Sequence, residues 1–203
     1  EYLEYNDNFI TDLNLTVQNQ ADSLSLFIRT EDVYAAGFYM PSFSVIGGAR
    51  NNEVTVSARF SDTEKQRSAL IGLTSVFERD PLTGDPRANI RFSPSSFSAQ
   101  GQTWSIRGRG IRAGKKKVDV DRFVISSGGQ SMRVYGTASS QKSDTLHFNM
   151  THFDLAPLGN FVAGIGYTLD RGVTNGHADL VSVMKDPYIS ANLTIDSLSI
   201  SGV

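Results

Sequence analysis

Two of the three histidines in this chain, His147 and His152, fall in one stretch, HFNMTHFDLAPLGNF, and Asp154 follows two residues after the second. Imidazole and carboxylate side chains together could bind a metal ion or move protons between a base and an acid. The spacing argues for neither. Residues five apart on one continuous strand point to opposite faces, so the chain would have to leave the strand near Thr151 for both rings to meet one metal. His147 alternates with Leu146, Phe148 and Met150, which puts it on the polar face and in solvent. Asp154 has a sufficient role as the cap of a short helix. His177, in VTNGHADL, lies far along the sequence and adds nothing by spacing. No metal ligands and no cofactor are expected.

Other reactive constellations are read the same way. There is no GxSxG elbow, no HExxH and no glycine-rich phosphate loop. Asp119 and Asp121 look like paired carboxylates, but they alternate with Val118 and Val120 and so belong to the polar face of a strand. Ser126-Ser127-Gly128-Gly129 lies between two strands with no helix to follow, as a turn does. Trp104, the sole tryptophan, opens a strand and is expected in a core. Lys115-Lys116-Lys117 reads as a solvated hairpin tip, since such charges guard strand edges. Cysteine is absent, which removes disulfides, thiolate metal sites and thiol nucleophiles. No catalytic residue is proposed, and the chain is not read as an enzyme.

The elements that would position these residues follow one period, and it is two. Apolar side chains alternate with polar ones at Leu13, Leu15 and Val17; at Leu24, Leu26 and Ile28, with Phe27 on the other face; and at Val54, Val56, Ala58 and Phe60. The pattern returns at Met132 and Val134, at Leu146, Phe148 and Met150, at Ile189, Ala191, Leu193 and Ile195, and at Leu198 and Ile200. This is the signature of half-buried strands. Turn signals stand at Gly47-Gly48, Asn51-Asn52, Leu82 to Pro86, Gly128-Gly129 and Asn175-Gly176. The stretch from Val33 to Ala49 reads as two strands and a turn. One helix is expected near 154–162, where Leu155, Leu158 and Phe161 fall at helical spacing before Gly164. Asp62 to Arg67 is a weaker helical candidate and more simply a polar loop.

The 203 residues suffice for one domain or two small ones, with 39% hydrophobic and 20% charged residues and a net charge of −2. Such a charge gives no basic footprint for nucleic acid. No signal peptide opens the chain and no apolar run is long enough to cross a bilayer as a helix. Both ends read as cut from something longer. The fold class expected is all-β: a long antiparallel, curved, trough-like sheet, or β-sandwich-like layers, with the one short helix. Residues 1–203 form a single β-rich segment with possible sub-units 1–91 and 92–203. A sandwich would cover the apolar faces with a second sheet and a barrel by closing, whereas an open sheet needs another cover, such as acyl chains.

From about Phe92 onward the sequence resembles the Bacteroidetes-type branch of the TamB family of AsmA-like envelope proteins. The features occur in order: FSPSSFSAQGQTWSI with Trp104 and Ile106; a strand ending at Gly136; a strand ending in the turn of Asp154, Leu155 and Leu158; and a final unit with Gly172, Gly176, Pro187, Leu198 and Gly202. The first ninety residues share only the family's character. The resemblance implies a periplasmic segment of an inner-membrane-anchored protein, folded as a sheet with an apolar interior. It implies a TamA-type outer-membrane barrel as partner. Its cargo would be phospholipid acyl chains or unfolded outer-membrane protein strands, in lipid transport between membranes or outer-membrane protein assembly. The groove lining would be the cleanest alternating rows: Leu146, Phe148 and Met150; Ile189, Leu193 and Ile195; Leu198 and Ile200. The alternative is a non-catalytic β-sandwich or solenoid module of a scaffold or adhesin. A hydrolase or glycan-binding sandwich would cluster aromatics, yet the twelve phenylalanines and seven tyrosines are scattered.

Overall fold

The computed structural model of the chain describes residues 2–6, 8–35, 38–63, 67–99, 101–155 and 167–202. These are all-β, with no helix among the described residues, and every strand pair named below is antiparallel. Two compact units are present, Glu1–Arg107 and Gly108–Val203. The division falls later than residue 91 because the next segment pairs back onto the first unit, Ser96 opposite Leu70 and Ser98 opposite Ser68.

The first unit holds β1 (Tyr2–Tyr5), β2 (Asn8–Thr11), β3 (Asn14–Gln20), β4 (Ser23–Arg29), β5 (Asp32–Ala35) and β6 (Phe38–Pro41). It continues with β7 (Ser44–Arg50), β8 (Glu53–Asp62), β9 (Arg67–Arg79), β10 (Pro86–Phe92), β11 (Ser95–Ala99) and β12 (Gln102–Gly108). One sheet runs β1-β2-β5-β6, and the larger one runs β3-β4-β7-β8-β9-β11-β12, with β10 sharing the β9 edge. The two sheets part along a line of interruptions in neighbouring strands. Asp12 and Ser42 take left-handed φ values of 47° and 51°, which short polar side chains tolerate better than branched ones. Between them, the Glu31 amide donates to the Thr11 carbonyl and the Ser42 amide to the Glu31 carbonyl. The stretch from Val33 to Ala49 therefore contributes to three strands rather than two. Gly47 and Gly48 lie inside β7 instead of forming a turn. They fill a crowded place, where a Cβ would stand 3.5 Å from the Leu26 Cβ or 3.1 Å from the Thr55 hydroxyl.

Trp104 is buried, at 1% exposure, and stacks on Phe97 with ring centroids 6.1 Å apart. At the end of the β8–β9 hairpin, Arg67 meets the buried Asp62 at 2.7 Å. Residues 64–66 lie outside the described set, Thr63 is a turn residue, and Asp62 and Arg67 are in strands rather than a helix.

The second unit is a meander of β13 (Ile111–Gly114), β14 (Lys117–Ser127), β15 (Gln130–Ser139), β16 (Thr145–Asp154), β17 (Tyr167–Val181) and β18 (Tyr188–Gly202). Lys115 and Lys116 form the bend between β13 and β14, and Gly128-Gly129 turns β14 into β15. Gly128 has φ 56° there, a conformation that favours glycine. The expected helix start is not present: Asp154 ends β16 opposite Val173, and its amide is held by the Gln130 side chain at 3.1 Å. Leu155 continues the pairing through Gly172 at 2.7 Å. The remainder of that expectation, 156–162, lies outside the described residues. Asn175-Gly176 is not a turn either but part of β17, opposite a bulge in β16 between Met150 and Phe153.

Candidate functional site

The site is built by register. Strand β16 alternates Leu146, Phe148 and Met150 toward one face, and each meets an apolar residue or a glycine on both sides. One row across the sheet reads Phe123, Val134, Phe148, Ala178 and Ala191. The next reads Ile125, Met132, Met150, Gly176 and Leu193, and on the other side Leu146, Leu180 and Ile189 line up after Gly136. Because the side-chain period is two, one slip of register would turn any of these strands over. Past the bulge the row continues as Phe153, Thr174 and Ile195. Leu155, Ile195 and Leu198 approach one another around Gly172.

No charged residue stands in these rows, and little of the face is buried. In the whole described chain the buried apolar residues are Val33, Trp104, Val134, Ala138 and Phe153. Phe148, Met150 and Leu146 are half-buried, shielded on their flanks by neighbouring strands. Ile189 is 65% exposed and Leu198 48%. A face this apolar and this open carries a standing cost, about 25 cal/mol for each square ångström of apolar surface left in water.

Of the eight residues expected to line a groove, Leu146, Phe148, Met150, Ile189, Leu193 and Ile195 share this face by register, and Leu198 reaches it at Gly172. Ile200 pairs with Leu169 through the backbone, and its side chain lies outside the described set. Four further residues belong to the face: Met132 and Val134, which alternate in the sequence but are not among the eight, and Phe123 and Leu180. The alternation of His177 and Asp179 with Ala178 and Leu180 carries the signal for Leu180, which the turn expected at Asn175-Gly176 obscures.

In the first unit the same arithmetic gives the rows Leu15, Ile28, Val45, Ala58, Ile71 and Val17, Leu26, Gly47, Val56, Leu73. That face too has no charge in these rows.

The opposite face of the second unit is polar and internally paired. His147 sits there, but it is engaged rather than simply solvated: its Nδ1 is 2.8 Å from the Asp179 carboxylate, and its ring stacks on Tyr135 at 4.9 Å. His177, remote in sequence, comes to the adjacent strand opposite Asn149 and diagonal to His147. His152 lies in the bulge with φ 44°, its amide donating to the Asn175 side chain. Among the described residues no three His, Cys, Asp or Glu side chains gather as a metal set. Asp119 accepts from the Thr137 hydroxyl at 2.8 Å and meets Lys117 at 3.3 Å, as a polar strand face would.

No protein-family model, curated protein or solved structure matches this chain.

Proposed function

We propose that this chain is the periplasmic segment of a TamB-like envelope protein, and that its apolar sheet face shields acyl chains, or the strands of unfolded outer-membrane proteins, in passage between membranes. The full-length protein would be anchored in the inner membrane and would work with a TamA-type barrel in the outer one. The observation that supports this reading is the set of uncharged apolar rows, aligned across strands β14 to β18, mostly half-buried and exposed at Ile189 and Ile195. Each methylene that an acyl chain lays on such a face contributes about 0.8 kcal/mol, so a row of several strands holds a chain without any polar contact. The polar face, with its His147–Asp179 and Thr137–Asp119 pairs, stays in water.

The test is to purify residues 1–203 from a bacterial host without detergent, extract with organic solvent and measure lipids by mass spectrometry against a control protein. Stoichiometric phospholipid is expected. Phe148→Glu, in the centre of the apolar rows, is expected to abolish that lipid while the far-ultraviolet signature of sheet survives. Global unfolding of this variant would make Phe148 an ordinary core residue and favour a scaffold or adhesin module instead.

A further inference from the structure

The face of the first unit's large sheet opposite its apolar rows holds two arginines on a single cross-strand row. Arg29 on β4 stands opposite Ser44 on β7, and Ser44 stands opposite Arg59 on β8. Their backbones are thus two strand spacings, about 10 Å, apart, so both guanidinium groups can reach a small ligand lying over the serine. Ser44 is buried, and its hydroxyl accepts the Arg59 Nε–H at 3.1 Å. That bond orients the Arg59 fork and leaves its two terminal nitrogens available.

Arg50, Arg67 and Arg87 of this unit each meet a carboxylate, at Asp22, Asp62 and Glu78. Neither Arg29 nor Arg59 is within ion-pair distance of a carboxylate among the described residues. Glu31 follows Arg29 closely in sequence and lies on the line of interruptions, with its backbone bonded to Thr11 and Ser42. Around the pair is a depression of about 350 Å³, lined also by Phe27, Ser42, Phe60 and Ser61. Phe27 is 38% exposed, so one wall of the depression is apolar, and on its far side Leu70, opposite Arg59, is 45% exposed on the same face.

We infer that the Arg29–Ser44–Arg59 row is a binding site for the phosphate group of an organic phosphate, whose carbon portion lies against Phe27. Guanidinium forks match the oxygens of a phosphate two at a time, and paired arginines supply the charge of a mono- or diester. The inference concerns the face opposite the proposed lipid-shielding rows and does not depend on them. The phosphate could come from a lipid headgroup or from a soluble phosphate ester, and the chemistry of recognition is shared.

The test uses the isotopically labelled chain 1–203, titrated with inorganic phosphate at constant ionic strength while the arginine Nε–H resonances are followed. Saturable shifts are expected at Arg29 and Arg59 and not at Arg50. Arg29→Gln and Arg59→Gln should each weaken binding roughly tenfold, as loss of a charged hydrogen bond does, and the double variant should abolish it. Unchanged amide resonances elsewhere would verify that the variants fold. Flotation with vesicles of phosphatidylglycerol and phosphatidylcholine in equal parts identifies the source. Arginine-dependent flotation assigns the phosphate to a headgroup, whereas saturable phosphate binding without flotation assigns it to a soluble ester. Shifts that grow linearly and equally at Arg50, or a double variant that binds as the wild type does, would overturn the site.

Discussion

Gly136 and Gly176 stand among bulky neighbours on the apolar face of the second unit, with φ values of 110° and 126°. A Cβ at Gly176 would run into the Asn192 carbonyl oxygen, and one at Gly136 into that of Thr145. Since backbone atoms of the neighbouring strand cannot swing aside, Gly176→Val should destabilise the unit by at least about 2 kcal/mol in urea unfolding. Gly129→Ala, with open space around it, should stay within about 0.5 kcal/mol. Equal effects would refute the argument. Asp80 offers a pH test. The amides of Leu82 and Thr83 donate to its carboxylate at 2.9 and 3.2 Å and, with Arg87 adding a lesser attraction, hold it below the usual carboxylate range. A carboxyl depressed in the folded state stabilises fully above its ordinary value and loses that contribution only as pH falls through the lower, folded one. Hence the Leu82 and Thr83 amide resonances should stay put until below the ordinary aspartate range and then move together, a step that Asp80→Asn removes. Movement at the ordinary value would contradict the bonding. Residue types of this kind were only half legible. A glycine announces an unusual φ or a close approach, but not which, so Asn175-Gly176 passed for a turn. The partner of His147 was invisible because Asp179 is distant along the chain and only strand pairing brings it near.

At the scale of elements, alternation was the informative signal. Leu146, Phe148 and Met150, or Val54, Val56 and Ala58, declare a strand and its apolar side without reference to anything else. Register could not be read, because it is a property of two strands at once. The helix expected after Asp154 shows the limit of a local pattern. Asp154 is of a type that caps a helix, yet its amide and that of Leu155 are committed to Gln130 and Gly172, and pairing with β17 outweighs a weak local signal at this start. The same sheet predicts uneven tolerance to substitution. Phe153 is 2% exposed, so Phe153→Ala should cost about 3 kcal/mol. Ile189, on the same face but open to water, should accept Asn for less than about 1 kcal/mol. Thermal or urea unfolding of both variants decides it, and comparable losses would mean that the face is covered after all.

For the whole molecule, the sequence made the all-β class plain but could not show that the second unit's apolar rows lie only half-buried, since whatever lies over a face is not written in the strand that bears it. Its outer strand is the exposed consequence. The fifteen-residue β18 pairs with β17 along its length and carries a single charge, Asp196. Without lysine or proline to guard it, such an edge invites pairing with another copy. Sedimentation of the 203-residue chain should therefore shift to larger species as concentration rises, and Thr194→Lys, on the polar side of β18, should suppress the shift. Sedimentation independent of concentration would refute this. From β14 to β18 each strand pairs with the one that follows it, and that feature makes the unit countable. Taking out one strand would reverse the direction of all that come after, whereas taking out two restores both direction and face. No interior jigsaw has to be solved again, because few side chains are wedged among several others. Length thus becomes an adjustable quantity, set in hairpin steps, and a chain built this way can be matched to a distance as a ladder is matched to a wall.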